Sequence, residues 1–155
     1  MVPPVCMKHH KGGQTMPDTV PHAKLTHEGA LKVLHAAIEK AKAMGVPQCI
    51  TIVDDGGHLL AFTRMDGAKI LSIDSSMKKA MTAASSRVPT GGVGAEVEIK
   101  LGLATKGKLT NLKGGVPIVV DGHVVGAIGV GSGTGEQDLE VAKAGIAALK
   151  GAKAW

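Results

Sequence analysis

Two β-branched runs joined by a tight turn limit the folds open to this chain. Val116–Val120 and Val124–Val130 flank Asp121-Gly122-His123. Asp-Gly between such runs is a strong signal for a hairpin of two antiparallel strands. A sheet built from hairpins has no need of the crossover helices that join parallel strands. This stretch therefore favours an antiparallel sheet.

A glycine-rich loop, Gly131–Gly135, follows the second run and leads into a helical pattern. Thr134 and Gln137 have the spacing of a capping box, which marks a helix N-terminus. Glycines allow the backbone to approach a neighbour closely, and the N–H groups at a helix start favour an anion. Two alternatives remain open. The glycines can serve turn geometry alone, and the helix can be capped by its own residues.

The remainder of the chain contains a second hairpin signal and further helical patterns. Gln48–Asp54 and His58–Arg64 are short apolar runs around Asp55-Gly56-Gly57, which predicts a second hairpin. A helix is predicted from the N-cap Thr26 to Gly45. The order is helix, hairpin, helix, an irregular segment, hairpin and helix. This order predicts an α+β domain with helices packed on an antiparallel sheet.

Two helices are predicted in the middle of the chain, and their sequence patterns differ in strength. Residues 93–104 predict only one or two irregular helical turns. Gly102–Lys108 has the glycine spacing of a phosphate-binding P-loop, but Leu109 stands where Ser or Thr would hold magnesium, so we exclude that site. The helix after Ala68 is predicted to bury an apolar stripe formed by Ile70, Ile73, Met77, Ala80, Met81 and Ala84.

Composition excludes several classes of protein. The net charge is +5, but only 1% of residues are aromatic, which argues against a single-stranded nucleic-acid site built on stacking platforms. The chain has no apolar run of the roughly 18 residues that a membrane span needs. Cys6 and Cys49 are too few for a disulfide framework, so we expect free thiols and a cytoplasmic location.

The first 22 residues contain four prolines and little apolar periodicity, so we expect a flexible tail at 1–22 and a single domain at 23–155. Cys6, His9 and His10 lie in this tail. They can bind a soft metal or haem iron, or they can belong to an unstructured segment. The spacing lacks the second cysteine of a c-type haem site, and we predict no dedicated metal site.

Four ordered segments resemble the GlcG/HbpS-like family, also called DUF336, which includes the C-terminal domain of PduO-type proteins. They are IVDDGGHLLAFTRMDGA at 52–68, Lys79–Ala84, GGVPI at 114–118 and DGHVVGAIGVGSGTGEQD at 121–138. The resemblance spans about Leu25–Leu149. One departure is Gly131-Ser132, where the family usually has Ser-Gly, so the hydroxyl is shifted by one position.

The resemblance implies a five-stranded antiparallel sheet flanked by helices and an even-numbered homo-oligomer, from dimer to octamer. Several members of the family bind haem, so haem is the expected cofactor, although no axial ligand can be carried over. The alternative is an enzyme of small organic-acid or aldehyde catabolism. We expect a small-molecule ligand in either case, and neither nucleic acid nor a membrane as a partner.

The predicted site is an anion-binding pocket at the glycine-rich turns, where Arg64 or Lys79 can pair with a carboxylate. Each polar candidate also has a structural interpretation. Arg64 and Asp66 can form an ion pair, Asp54 can cap its own turn, and His58 can be a solvated turn residue. The complete set is Asp54, His58, Arg64, Asp66, Lys79, Gly114, Gly115, Pro117 and Ser132.

Overall fold

The computed structural model describes residues 16–155, so Cys6, His9 and His10 lie outside the described residues. This part of the chain contains four α-helices and four β-strands. The helices are α1 (His27–Met44), α2 (Ser72–Ser86), α3 (Ala95–Ala104) and α4 (Gly135–Ala147). The strands are β1 (Cys49–Asp54), β2 (Leu59–Arg64), β3 (Gly115–Val120) and β4 (His123–Gly131). None of these helices combines the length and the apolar character needed to cross a bilayer.

The four strands form one sheet in the order β2-β1-β4-β3, and every neighbouring pair is antiparallel. Both predicted hairpins and their union in one antiparallel sheet are therefore confirmed. The two hairpins meet along β1 and β4, where Ile52 faces Ile128 and Cys49 faces Gly131. The architecture is α+β, as predicted.

The predicted number of five strands is wrong, because residues 16–155 contain four. The C-terminal residues instead lie along the free edge of β3, where they form a single bridge between Val120 and Ala152. Pro117, in the middle of β3, has no N–H to donate to a further ladder. Its carbonyl accepts a hydrogen bond of 2.9 Å from the indole of Trp155. These contacts cover the edge without a fifth strand.

The helices lie on both faces of the sheet. Helices α1 and α4 pack on one face and on each other, while α2 packs on the other face. The α1/α4 side holds the main core, which includes Val33, Ile50, Ile52, Ile128 and Ile146. Helix α1 begins at the predicted N-cap, whose hydroxyl accepts from the Gly29 N–H, and ends at Gly45 with a φ of 68°.

Helix α2 lies unusually close to the sheet. A Cβ at Gly129 would stand 2.0 Å from the Ser76 carbonyl oxygen, and one at Gly115 would stand 2.3 Å from the Lys79 carbonyl oxygen. Only small side chains fit between surfaces at this distance. The glycines of β3 and β4 therefore serve the packing of a helix on a sheet.

This close packing corrects the predicted stripe of α2. The helix buries mainly small or polar residues, and Ile73 is 37% exposed. Ile70 and Leu71, just before the helix, are 65% and 78% exposed. Ile70, Leu71 and Ile73 therefore stay outside the narrow space under α2, whereas Met77 packs, partly buried, against the small core cluster on that side of the sheet. The buried residues of α2 are Ser72, Ser76, Lys79, Ala80, Thr82, Ala83 and Ala84.

Candidate functional site

A cavity of about 620 Å³ opens between the β1–β2 turn, the C-terminal half of α2 and the segment after α3. Gly56 and Gly57 of the turn form one wall, and half-buried Met81 of α2 forms part of another. Lys106 and Lys108, both exposed, contribute two ammonium groups. The volume lies in the range of about 300–1,000 Å³ that is typical of small-molecule sites. The cavity therefore combines an apolar wall with a cationic rim.

The β1–β2 turn also carries the His58 ring, which packs on Gly56 but is not among the residues that line the cavity. The Asp54 carboxylate accepts hydrogen bonds of 2.9 Å from the backbone N–H groups of Gly56 and His58, and it lies 3.2 Å from His58 Nδ1. The ring covers Gly56, where a Cβ would stand 3.0 Å from Nδ1. A carboxylate that holds one ring nitrogen leaves Nε2 as the nitrogen that a ligand or metal can take.

The Asp54 carboxylate is suited to this orienting role. Burial alone would raise its pKa, but the hydrogen bonds from His58 and Gly56 and the nearby imidazole outweigh burial and lower the pKa below the ordinary 3.8. The carboxylate is consequently ionised at neutral pH. Asp54 caps its own turn, which is the structural alternative stated in the sequence analysis. The same carboxylate also holds the His58 side chain.

Lys79 is buried beneath the glycine loop. Its ammonium donates 2.8 Å hydrogen bonds to Asp138 Oδ2 and to the Val130 carbonyl. The Lys79 and Asp138 side chains are 5% and 3% exposed. Gly114 makes room for this pair, because a Cβ there would stand 2.7 Å from Asp138 Cβ. The ammonium thus joins α2 to α4 and does not face the cavity.

The glycine-rich loop uses its N–H groups inside the chain. The Gly133 N–H donates to Asp138 Oδ1 at 2.9 Å and to Gln48 Oε1 at 3.1 Å. Thr134 and Gln137 form the predicted capping box. The Gly115 N–H donates to the Thr90 hydroxyl at 2.9 Å. The helix is therefore capped by its own residues, and these amides already have partners.

The other predicted site residues lie at the opposite end of the β1–β2 ladder from Asp54. Arg64 pairs with Cys49, whereas the turn that carries Asp54 and His58 closes the other end. Arg64 and Asp66 are both exposed, and no ion pair joins them within residues 16–155. The Ser132 hydroxyl accepts a 2.9 Å hydrogen bond from the Lys69 N–H. The structure thus divides the predicted set into two separate groups.

Sequence reasoning missed the cavity wall beyond the β1–β2 turn. The helical spacing predicts Met81 in a core stripe, and Lys106-Gly107-Lys108 enters only as part of the rejected P-loop pattern. The sequence signal that could have drawn attention to this segment is a pair of lysines on either side of a glycine. In the structure this glycine has a φ of 73°. No group of three or more metal-binding side chains occurs in the part of the chain that the structure describes.

A family model described as "Haem degrading protein HbpS-like" matches residues 25–147. The chain belongs to this family. Protein GlcG of Escherichia coli strain K12 is 42% identical over 107 residues, which are 68% of this chain and 80% of GlcG. The resemblance to the GlcG/HbpS-like family is thereby confirmed.

Two solved structures share the fold. The Klebsiella pneumoniae protein ORFY, described as a DUF336 protein, superposes with a TM-score of 0.83 at 29% identity, covering 88% of this chain and 97% of ORFY. The structure described as a PduOC:Heme complex superposes with a TM-score of 0.78 at 29% identity, covering 84% of this chain and 98% of PduOC. The second of these relatives binds haem.

Proposed function

We propose that this protein binds haem in the cavity beside the β1–β2 turn. The observation that carries the proposal is an apolar-walled cavity of about 620 Å³ with two lysines on its rim, next to a turn that carries an oriented imidazole. Haem offers the matching chemistry, since it has an apolar macrocycle, two carboxylates and an iron that takes an axial side chain. The haem complex of PduOC supports the choice of ligand.

Each group of the cavity has a defined part in this proposal. His58 would hold the haem iron through its free ring nitrogen, and Asp54 would keep that ring in place. Met81 would provide apolar contact, and Lys106 and Lys108 would pair with the carboxylates of the group. Gly56 and Gly57 leave the turn without side chains, so a flat ligand can approach the backbone. The iron supplies a coordination position when haem is bound.

The proposal moves the ligand away from the Arg64, Asp66 and Ser132 end of the sheet. At that end the amides of the glycine loop already bond to Asp138, Gln48 and Gln137. An anion there would have to replace those acceptors. The lysines of the cavity rim are exposed and can pair with a carboxylate without breaking a buried contact.

Titration of haem into the purified protein tests the proposal through the Soret band. Wild type is expected to bind, and His58→Ala is expected to shift the band and weaken binding. His35→Ala, on the exposed face of α1, is the matched control. Lys108→Ala is expected to raise Kd about two- to five-fold, because an exposed ion pair contributes roughly 0.5–1 kcal/mol. Equal binding by wild type and His58→Ala would exclude His58 as the axial ligand.

The alternative of a small organic acid or aldehyde as substrate is an outcome of the same experiment. A wild-type protein that stays colourless with haem but binds small acids in a Lys108-dependent way would replace the haem proposal. Calorimetry with a panel of small carboxylates provides that readout.

We also propose that the protein is an even-numbered homo-oligomer in the cytoplasm. Neighbouring exposed apolar side chains support the first part, since such patches mark interaction surfaces. Ile70 and Leu71 are 65% and 78% exposed beside Ile73. The buried, unpaired thiol of Cys49 is compatible with a reducing compartment. Analytical ultracentrifugation gives the subunit number.

A further inference from the structure

Residues 94–109, which we name the α3 arm, contain helix α3 and the segment that lines one side of the cavity. The remaining lining residues belong to the β1–β2 turn and to α2, which pack as part of the sheet and its helices. A movement of the arm relative to the sheet would therefore change how open the cavity is. The arm contributes Ala104, Thr105, Lys106, Lys108 and Leu109 to the lining.

The arm makes few contacts with the rest of the chain. None of the ten residues of α3 is buried, and the helix makes no extensive contact with any other helix or strand of residues 16–155. Within these residues, the hydrogen bonds of the arm have both partners inside it, apart from one to Glu98. Segments with so few buried contacts open at a lower free energy than a packed core.

The side chain of Asn111 closes the base of the arm. Its Oδ1 atom accepts a 2.9 Å hydrogen bond from the Val93 N–H, and its Nδ2 donates to the Val93 carbonyl at 2.6 Å. The same Nδ2 donates to Glu98 Oε2, in the first turn of α3, at 3.3 Å. One amide therefore pairs with both backbone groups of Val93, joins the two ends of the arm and holds α3 to this base.

The base is fixed to the packed part of the chain, whereas the arm has a glycine near each end. The Thr110 N–H donates at 3.0 Å to the hydroxyl of Thr82, a buried residue of α2. A Cβ at Gly94 or at Gly107 would meet no other atom within 4 Å. Glycines in open space leave the backbone free to turn. The arm can therefore pivot at these two positions while its base stays in place.

We propose that the α3 arm is a lid, which pivots at Gly94 and Gly107 and controls the entry and release of the ligand. Asn111 is then a positioning residue, because it fixes the base of the lid and holds α3 in the closed position. In that position Lys106 and Lys108 lie on the rim of the cavity. The inference rests on the proposed function, since it takes haem as the ligand that the lid retains.

Hydrogen exchange of the haem-free protein tests the lid independently of the ligand. The amides of α3 are expected to exchange through one common opening and faster than those of α1, whose inner face is buried. Asn111→Ala should speed exchange of the arm about tenfold, because the lost hydrogen bonds no longer hold it closed. Ser86→Ala is the matched control, since this hydroxyl bonds at 2.8 Å to the Thr82 carbonyl, outside the arm.

Stiffening the pivot should have the opposite effect on haem release. Gly94 has a φ of −63°, which proline prefers, and its N–H donates no hydrogen bond within residues 16–155. Gly94→Pro therefore restricts the pivot without removing a contact of the closed arm. Haem transfer to an excess of haem-free globin should be about threefold to tenfold faster than wild type in Asn111→Ala and slower than wild type in Gly94→Pro.

Circular dichroism establishes whether each variant is folded, and if Gly94→Pro is not, the two rates of Asn111→Ala decide. The inference is overturned if the amides of α3 are as protected as those of α1, if the arm of Asn111→Ala exchanges like wild type, or if the folded variants release haem at the wild-type rate. A wild type that takes up no haem would refute the proposed ligand, and exchange of the haem-free protein would still decide whether the arm opens. The two proposals thus fail by different results.

Discussion

Removing the charge of Lys79 should destabilise the fold far more than removing an exposed lysine. In Lys79→Met the Asp138 carboxylate stays 3% exposed and loses the cation 2.8 Å away. Breaking a buried ion pair from one side costs about 3–5 kcal/mol, because a charge is left unpaired in the interior. A domain of this size has a total stability of about 5–15 kcal/mol. The variant is therefore expected to be folded but marginal.

Neutralising both partners should recover most of the loss. In the double variant K79M/D138N, the amide oxygen can still accept the Gly133 N–H, the new amide N–H groups lie where the Lys79 ammonium was, and the Val130 carbonyl loses its donor. One such hydrogen bond is worth about 0.5–1.5 kcal/mol. We therefore expect the double variant within about 2 kcal/mol of wild type, and a coupling energy of several kcal/mol between the two positions.

Urea unfolding at a fixed protein concentration measures these free energies. Lys40 and Glu140 form a matched control, because their 2.7 Å ion pair also reaches α4 but its side chains are 35% and 55% exposed. Lys40→Met should cost less than about 1 kcal/mol. If Lys79→Met lowers the free energy of unfolding no more than Lys40→Met does, the buried pair does not stabilise the junction of α2 and α4.

Three further predictions follow from the described contacts. Gly129→Ala should lower the free energy of unfolding by about 1–3 kcal/mol or more in urea unfolding, since its methyl group would meet the Ser76 carbonyl at 2.0 Å; unchanged stability would mean that α2 can move away from the sheet. Burial raises the pKa of the Cys49 thiol, against a smaller opposing effect of Arg64, so in Cys6→Ser we expect thiol reagents to label Cys49 only after unfolding. The lowered pKa of Asp54 means that its stabilising contribution is full above pH 3.8 and is lost as pH falls through the lower folded-state value; a carboxyl NMR titration that finds an ordinary pKa would contradict this.

Local signals in the sequence predicted the elements that depend on neighbouring residues. Thr26 and Gly45 mark the ends of α1, and Thr134 with Gln137 caps α4, because a cap needs only residues within one turn. Asp121-Gly122 specified its hairpin for the same reason. Family resemblance supplied the likeness to GlcG and HbpS, but it also supplied the fifth strand that the described residues lack.

Contacts between distant parts of the chain could not be predicted in this way. Lys79 and Asp138 are 59 positions apart, and no sequence pattern near either residue indicates that the two side chains pair. The sequence predicts Gly115 as part of a ligand pocket, whereas the structure fills the space beside it with the backbone of α2. A glycine in the sequence indicates a close contact, but it does not indicate whether that contact is with a ligand or with the protein's own backbone.

The close approach of α2 connects these separate observations. Because the backbone of α2 lies almost on β3 and β4, its inner face is restricted to small residues such as Ser76 and Ala80. Ile70 and Leu71, just before the helix, and Ile73 in its first turn consequently lie outside this space and are exposed. A thin, aromatic-poor interior also limits how much apolar surface the monomer can bury. Association through outward-facing apolar surfaces is the physical means by which such a chain can gain the burial that its own core does not provide.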